Sequence, residues 1–470
     1  LTAARDATLL YLAAVARMVA VLGGGMAGLS TALLLARDGH RVTLIERDPV
    51  VVGDALASPT WDRRGIAHFL QPHTFIPRGR LELQRELPVV FESLLAAGAH
   101  DVDTARKLSG PRQAGDEELQ YLAVRRPLIE WALRRAVMGE PAIEVRSSTR
   151  VDGFHDEGAD IVVDAMGRRT PTPGWFPDAA EPATSDCGVV YLCRYYRQRP
   201  GFELPDGPWL VSPRGDLGYL GYATFPGDNG TFSALLAIPS GVAEWRGLAK
   251  EDRFERAVQT IPMLRQWVDP EGVEPITPVM PMAGLRNSLR SVGEASPFVP
   301  IGDALAHTDP TLAHGLSLAL IHARELRDAM RDHREARDVL AAFLDAVLPE
   351  AGERYELATA LDEQRHRLWL GEPVDLSRHD GGAYELFSIA GAGAAALADD
   401  TVLRASVRRS GLLDRTGAMD CDEALLGRVD EVLAQLRATP RPAAGPPPED
   451  MVAIAHGTAG AATTLDSLRH

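Results

Sequence analysis

The sequence predicts an α/β fold carrying a second, sheet-based domain and C-terminal helices, and three observations lead there. An apolar run, Val19 to Leu22, enters Gly23, Gly25 and Gly28 in the order G-x-G-x-x-G, and an Ala/Leu-rich helix pattern follows until Gly39. From Cys187 to Pro239 the texture changes to β-rich alternation, "GVVYLCRYYRQ", "GYLGYATF" and "TFSALLAIP", separated by Pro/Gly/Asp turns. A further strand-turn-helix unit stands at 298 to 328, and the remainder to about 436 reads as helical.

The first unit is a Rossmann-like dinucleotide site by its mechanics. Gly23 allows the tight turn, Gly25 lets backbone approach a pyrophosphate, and Gly28 lets helix and strand pack closely. The helix N-terminus then offers unpaired N–H groups and a positive dipole end to the phosphates. A second strand, Arg41 to Ile45, finishes at Glu46, the position of the acid that hydrogen-bonds a ribose 2′-OH. A carboxylate there disfavours a 2′-phosphate, so the site is expected to hold FAD or NAD and not NADP. The glycine motif alone does not separate those two.

At 470 residues the chain is long enough for two or three domains. The expected division is 18–175 with 296–345 as a discontinuous cofactor domain, 176–295 as a β-sheet substrate domain, 346–436 as a helical region and 437–470 as a Pro/Ala linker and tail. Helical periodicity runs through 78 to 104 and 126 to 138, and "ADIVVDAMGRR", 159 to 169, reads as a buried strand followed by a turn. A net charge of −16 without a basic patch argues against nucleic acid or an anionic membrane as partner. Cys187, Cys193 and Cys421 form no C-x-x-C pair, which points to a reducing compartment without a disulfide framework or zinc site. No uncharged run of 18 apolar residues supports a transmembrane helix. "ATLLYLAAVAR" imitates a signal-peptide core, yet Met18 stands immediately before the first strand. Residues 1 to 17 are therefore read as upstream sequence and the protein as cytoplasmic.

"FVPIGDALAHTDPTLAHGLSLALIHA", from Phe298 onward, is the second anchor. An apolar strand ends at Gly302-Asp303, a proline loop follows, and Gly315 opens a long apolar helix. Here the chain resembles the FAD-dependent monooxygenases of the aromatic hydroxylase (group A) class, whose second fingerprint has this form. "RRGIAHFLQPH", 63 to 73, and "LPVVFESLLAAGA" look most like bacterial natural-product epoxidases and hydroxylases such as the polyene epoxidases of polyether pathways. The resemblance covers roughly residues 18 to 345.

What the resemblance implies is a resident FAD. Asp303 would hydrogen-bond its ribityl chain and Pro310 would border the flavin ring. Backbone N–H groups from Leu312 through Ala313 and His314 to Gly315 would face flavin N1 and O2, where a helix N-terminus stabilises the negative charge of the reduced ring. "RRPLIEWALRR", 125 to 135, implies a cofactor-contacting arginine, Arg126, and the 63–73 segment implies another, Arg64. With Gly23, Gly25, Gly28, Glu46 and Gly302 these complete the expected cofactor set. The implied reaction is reduction of FAD by NADPH or NADH, or by a separate flavin reductase. Reaction with O₂ to a C4a-hydroperoxide and transfer of one oxygen atom to a lipophilic small molecule would follow, by epoxidation or hydroxylation. No catalytic protein nucleophile is required. The middle fingerprint departs from the family's Asp-Gly, with Met166-Gly167 and Asp164 two residues earlier, so it does not fix the mode of flavin reduction. The preceding hairpin, "RVDGFHDEGAD", is shorter than usual in the family.

Other features read more plainly. His68, His73, His307 and His314 lack metal-ligand spacing, so no metal is expected; they read as structural or pocket groups, with His314 singled out beside the proposed flavin loop. Tyr191, Tyr195, Tyr219 and Tyr222 read as half-buried sheet packing that could line a pocket. "IAGAGAAALADD", 389 to 400, matches G-x-G-x-x-A without a β-branched strand before it, and reads as an Ala/Gly helix, not a second nucleotide site. The W-x-W-x-I-P signature and pocket lysine of tryptophan-type flavin halogenases are missing, Lys107 and Lys250 being the sole lysines. Two rivals remain: an FAD-dependent reductase of the geranylgeranyl-reductase kind, and a non-catalytic flavin-binding protein.

Overall fold

The computed structural model describes residues 16–153, 158–176, 180–205, 214–376, 393–415, 418–419, 421–438 and 443–458. Its central element is a five-stranded parallel sheet in the order Val299–Pro300, Ile161–Asp164, Met18–Leu22, Arg41–Ile45, Ile143–Arg146. Runs such as "IVVD" are buried throughout, as expected of parallel strands covered on both faces. Helix Met26–Arg37 follows the glycine turn and packs against helix Gly315–Asp332, so the second strand-turn-helix unit returns to the sheet begun by the first. One core spans both units, from Val21, Leu29 and Leu44 to Ile301, Leu320 and Phe343.

A mainly antiparallel sheet follows in the order Arg214–Asp216, Gly221–Pro226, Thr231–Pro239, Val189–Gln198, Val273–Pro275, with Met280–Met282 also paired to Val189–Gln198. Its period-2 alternation separates two faces. Leu192, Tyr196, Phe232 and Leu236 pack on Trp245, Phe254 and Trp267, whereas Tyr191, Leu235 and Ala237 face the other way with Trp369. Three short strands, Ala183–Asp186, Arg286–Leu289 and Ala306–His307, pair beside this junction.

Three expectations need correction. The periodic stretch 78 to 104 is two helices, Pro77–Glu86 and Pro88–Ala96, followed by the strand His100–Asp103. Pro88 has no N–H with which to continue the first helix, but suits the first turn of a new one. The boundary placed at 345/346 falls inside one continuous helix, Ala336–Trp369. The expected tail contains helix Pro448–His456, whose Met451, Ile454 and Ala455 are buried in the core of the antiparallel sheet's helical layer. A Cβ at Gly247 would lie 1.8 Å from the Ala455 carbonyl oxygen, so the contact is backbone to backbone.

Most of "ATLLYLAAVAR", four residues of the 150–160 hairpin, and residues 389–392 of the Ala/Gly segment lie outside the described residues; Gly393–Ala396 is helical, with Ala395 and Ala396 buried. Among the described residues no helix is long and apolar enough to cross a membrane.

Candidate cofactor and substrate site

The glycine turn tolerates nothing larger at two positions. Gly23 has φ +103°, and a Cβ there would meet the Ala165 carbonyl oxygen at 2.5 Å; a Cβ at Gly28 would stand 1.8 Å from the Gly23 carbonyl oxygen. Asp164 holds the facing turn: it is fully buried and accepts from Met166 N (3.0 Å), Thr170 Oγ1 (2.8 Å) and Thr172 Oγ1 (2.7 Å). Burial pushes its carboxyl up, against those donors and Arg290. Gly25 has no side chain with which to cap helix Met26–Arg37, so no side-chain bond occupies the first-turn N–H groups, and Gly25, Met26 and Ala27 line a cavity. Glu46, at the end of the second strand, is buried and accepts from Gly24 N at 2.6 Å and Asp48 N at 2.7 Å.

Sequence reasoning missed the charge cluster behind this turn. Arg63 is bound to Asp48 (2.8 Å), Glu130 (3.0 Å) and Glu46 (3.4 Å), and it donates to the Gly24 carbonyl at 3.2 Å. Burial works against its charge, but Glu130, Glu46 and Asp48 outweigh that and bind its proton more tightly than usual. Arg126 donates to Glu130 (3.0 Å) and to His68 Nε2 (2.9 Å), and stands 3.7 Å from where a Gly25 Cβ would be. Arg126, Glu130 and Arg134 recur every four residues on one helix, which was the available signal. Arg64, expected to contact the cofactor, lines the outer part of the cavity. Its side chain is 87% exposed at the cavity mouth and pairs with Asp62, while its neighbour Arg63 points inward.

The second fingerprint touches the first. Gly302 has φ +56°, and its would-be Cβ lies 3.0 Å from Ala27 Cβ. Its N–H donates to His322 Nδ1 at 3.0 Å, which places the imidazole proton on Nε2; burial pushes this histidine down to about 4. Asp303 pairs with His307 Nδ1 at 3.2 Å. Burial alone would raise its carboxyl, but His307, His68 and Arg126 hold it below the usual range. Pro310–Leu312 form a tight turn, Ala313 takes φ +57°, and helix Gly315–Asp332 begins with open space where a Gly315 Cβ would point. His314 is buried with Arg354 and Arg409 as charged neighbours, and it is held well below the ordinary histidine range by burial and by them.

A cavity of about 1070 Å³ joins these parts. It runs from Gly23–Ala27 and Glu46 past Arg126 to Asp303 and the 310–315 loop, and opens on the sheet face at Tyr222, Thr224 and Leu235. Gln71 Oε1 and His307 Nε2, both of lining residues, are buried without a hydrogen-bond partner in the protein. A dinucleotide fits: an acid for ribose, a helix end for pyrophosphate, and an open helix end beside a ring-sized space. Tyr191 and Tyr222 line the cavity, whereas Tyr219 stacks on Trp245 and Tyr195 is buried, its hydroxyl 3.4 Å from the Gln71 carbonyl.

Residues 18–107 match the sequence model of the family described as FAD dependent oxidoreductase. No curated protein matches the chain. Among solved structures, the fold is shared with PqsL, a probable FAD-dependent monooxygenase from Pseudomonas aeruginosa (15% identity, TM-score 0.55, 76% of this chain and 98% of that one). It is shared with 2-methyl-3-hydroxypyridine-5-carboxylic acid oxygenase (14%, 0.55, 85% and 98%) and with the flavin-dependent brominase Bmp2 (16%, 0.57, 90% and 99%). The α/β architecture expected from the sequence is therefore that of known flavoproteins, and match and fold together support an enzyme.

Proposed function

We propose that this protein is an FAD-dependent monooxygenase that places one atom of O₂ on a lipophilic small molecule, with NADPH or NADH as reductant. The observation that carries this is the single cavity joining an acid-and-glycine dinucleotide cradle, an open helix N-terminus and an apolar sheet face. Gly23, Gly25 and Gly28 would admit the pyrophosphate, Glu46 would take the adenosine ribose, Arg126 would approach the phosphates and Asp303 the ribityl chain. The N–H groups from Leu312 to Gly315 would meet the pyrimidine edge. When bound, FAD supplies two-electron redox chemistry and O₂ activation. The chain's task is to exclude water and hold the substrate against the ring, for which Leu235, Ala237 and Met282 offer the apolar wall.

The family match and the fold shared with PqsL and the pyridine-carboxylate oxygenase support this reading, and PqsL has been seen with the small molecule 2-aminobenzoylacetate. Among the described residues no lysine lines the cavity, so the brominase likeness is not extended to halogenation. The sequence resemblance favours epoxidation over aromatic hydroxylation.

The test supplies the FAD-loaded protein with NAD(P)H, ¹⁸O₂ and a panel of alkenes and aromatics. Substrate-dependent nicotinamide oxidation with one ¹⁸O atom in the product is expected. Peroxide alone, or a saturated double bond without oxygen, defeats the proposal, the latter in favour of a reductase. Asp303→Ala is expected to weaken FAD binding by about 10–100-fold, the range of one lost charge-assisted hydrogen bond. Unchanged FAD content in the folded variant would remove Asp303 from the cofactor site.

A further inference from the structure

At the proline loop lies a buried polar cluster, whose Tyr191, Asp309, Thr311 and Arg365 are among the cavity's lining residues but which the proposed cofactor contacts do not use. Asp309, which opens the loop, accepts through Oδ1 from Tyr191 Oη (2.6 Å), Thr311 N (2.8 Å) and Thr311 Oγ1 (2.7 Å). Its Oδ2 accepts from Arg365 Nη2 at 2.7 Å, and its own N–H donates to Asn287 Oδ1 at 2.7 Å. Arg365 also donates to Thr311 Oγ1 (2.7 Å) and Asp362 Oδ1 (2.5 Å), and Asn287 Nδ2 donates to Asp362 Oδ2 (2.8 Å). The loop is thus gripped from three directions: the antiparallel sheet through Tyr191, the short sheet through Asn287 and helix Ala336–Trp369 through Arg365.

Stability alone is a poor reason for this arrangement. A buried guanidinium with two carboxylates is often matched or bettered by apolar residues of the same volume. What such a network supplies is a single geometry for the group it holds. Cys187, Asp309 and Asp362 also lie within 4.8 Å of one another, a spacing open to a cation, but Arg365 already binds both carboxylates and supplies the positive charge.

We propose that Arg365 is a positioning residue. Through Asp309 and Thr311 it fixes the loop so that the N–H groups opening helix Gly315–Asp332 face the pyrimidine edge of bound FAD and favour its reduction. The inference rests on the FAD reading above. Reduced flavin carries negative charge at that edge, and helix-end donors stabilise it only while they are aimed at it.

The test equilibrates holoprotein with a redox dye and reads the ratio of reduced to oxidised flavin from the visible spectrum. In Arg365→Met the protein is expected to keep FAD, since the glycine turn and Glu46 are untouched. Its reduced-to-oxidised ratio at fixed potential should fall about tenfold, equal to about 30 mV for a two-electron couple. Arg365→Lys should recover part of that ratio, because it restores the charge without the two-pronged geometry. Tyr191→Phe removes one donor to Asp309 and should shift the ratio the same way by less. Ratios unchanged from wild type in FAD-loaded Arg365→Met overturn the inference, and if that variant does not fold, an unchanged ratio in Tyr191→Phe does so. Wild-type protein that holds no FAD brings down the cofactor reading and this inference with it, an outcome visible before any variant is made.

Discussion

Replacing Arg63 with methionine is expected to remove about 3–5 kcal/mol of stability, the range for one partner taken from a buried ion pair, and to empty the cofactor site. Three carboxylates, Glu46, Asp48 and Glu130, converge on this one guanidinium, whose side chain is 1% exposed. Methionine keeps much of the hydrophobic stem and no charge, so the variant isolates electrostatics from packing. Glu46 would then lose its ion pair and face Asp48 and Glu130 with backbone N–H groups and the more distant charge of Arg134 to hold it, and it is the residue assigned to the ribose. A urea titration at neutral pH should show a lower midpoint with an unchanged slope, alongside loss of bound FAD. An unfolding free energy within about 1 kcal/mol of wild type, or full FAD content, would mean that water screens the cluster. Arg64→Met is the control: its side chain is exposed, so a change of less than about 0.5 kcal/mol is expected.

That contrast shows where sequence reading stops. The first βαβ unit was legible because each step has a local cause: a β-branched run, three glycines with steric reasons, and an acid at the end of the next strand. The buried strand at Ile161–Asp164 was legible for the same reason. Choosing between Arg63 and Arg64 was not, because neighbouring arginines in an irregular loop carry no periodicity. Which one turns inward is decided by Asp48 and Glu130, contributed by other parts of the chain. Arg365 and Asp309 are 56 residues apart and meet only through tertiary structure. Helix Pro448–His456 follows a proline-rich stretch that reads as a linker, and its burial depends on Trp245 and Phe254 in another segment. The break at Pro88 is legible in the sequence, because proline's missing N–H overrules the apolar periodicity that runs through it.

Acid is expected to release the second fingerprint, and His322 determines the pH at which this happens. This residue is 2% exposed, accepts the Gly302 N–H through Nδ1, and is pushed by burial from 6.5 down to about 4. In the unfolded chain it takes up a proton near its ordinary value, whereas in the folded chain it stays neutral until about pH 4. Between those values the unfolded state binds more protons, so stability falls as pH falls. The contribution is complete above pH 6.5 and gone below about 4. At pH 5 this one group should already have removed about 2 kcal/mol, at roughly 1.4 kcal/mol per pH unit. His314, also buried and held low, acts in the same direction. Protonation also converts the Nδ1 acceptor into a donor facing the Gly302 N–H, so the Gly302-Asp303 turn should loosen and FAD should dissociate near pH 4, where His322 takes up its proton in the folded chain. In His322→Gln an amide oxygen can take the Gly302 N–H and does not titrate. Urea midpoints between pH 7 and 5 should therefore fall less steeply in His322→Gln than in wild type. Equal slopes would assign the acid sensitivity to another group, and a wild-type midpoint that does not move would mean that water reaches His322 and keeps its proton affinity near normal.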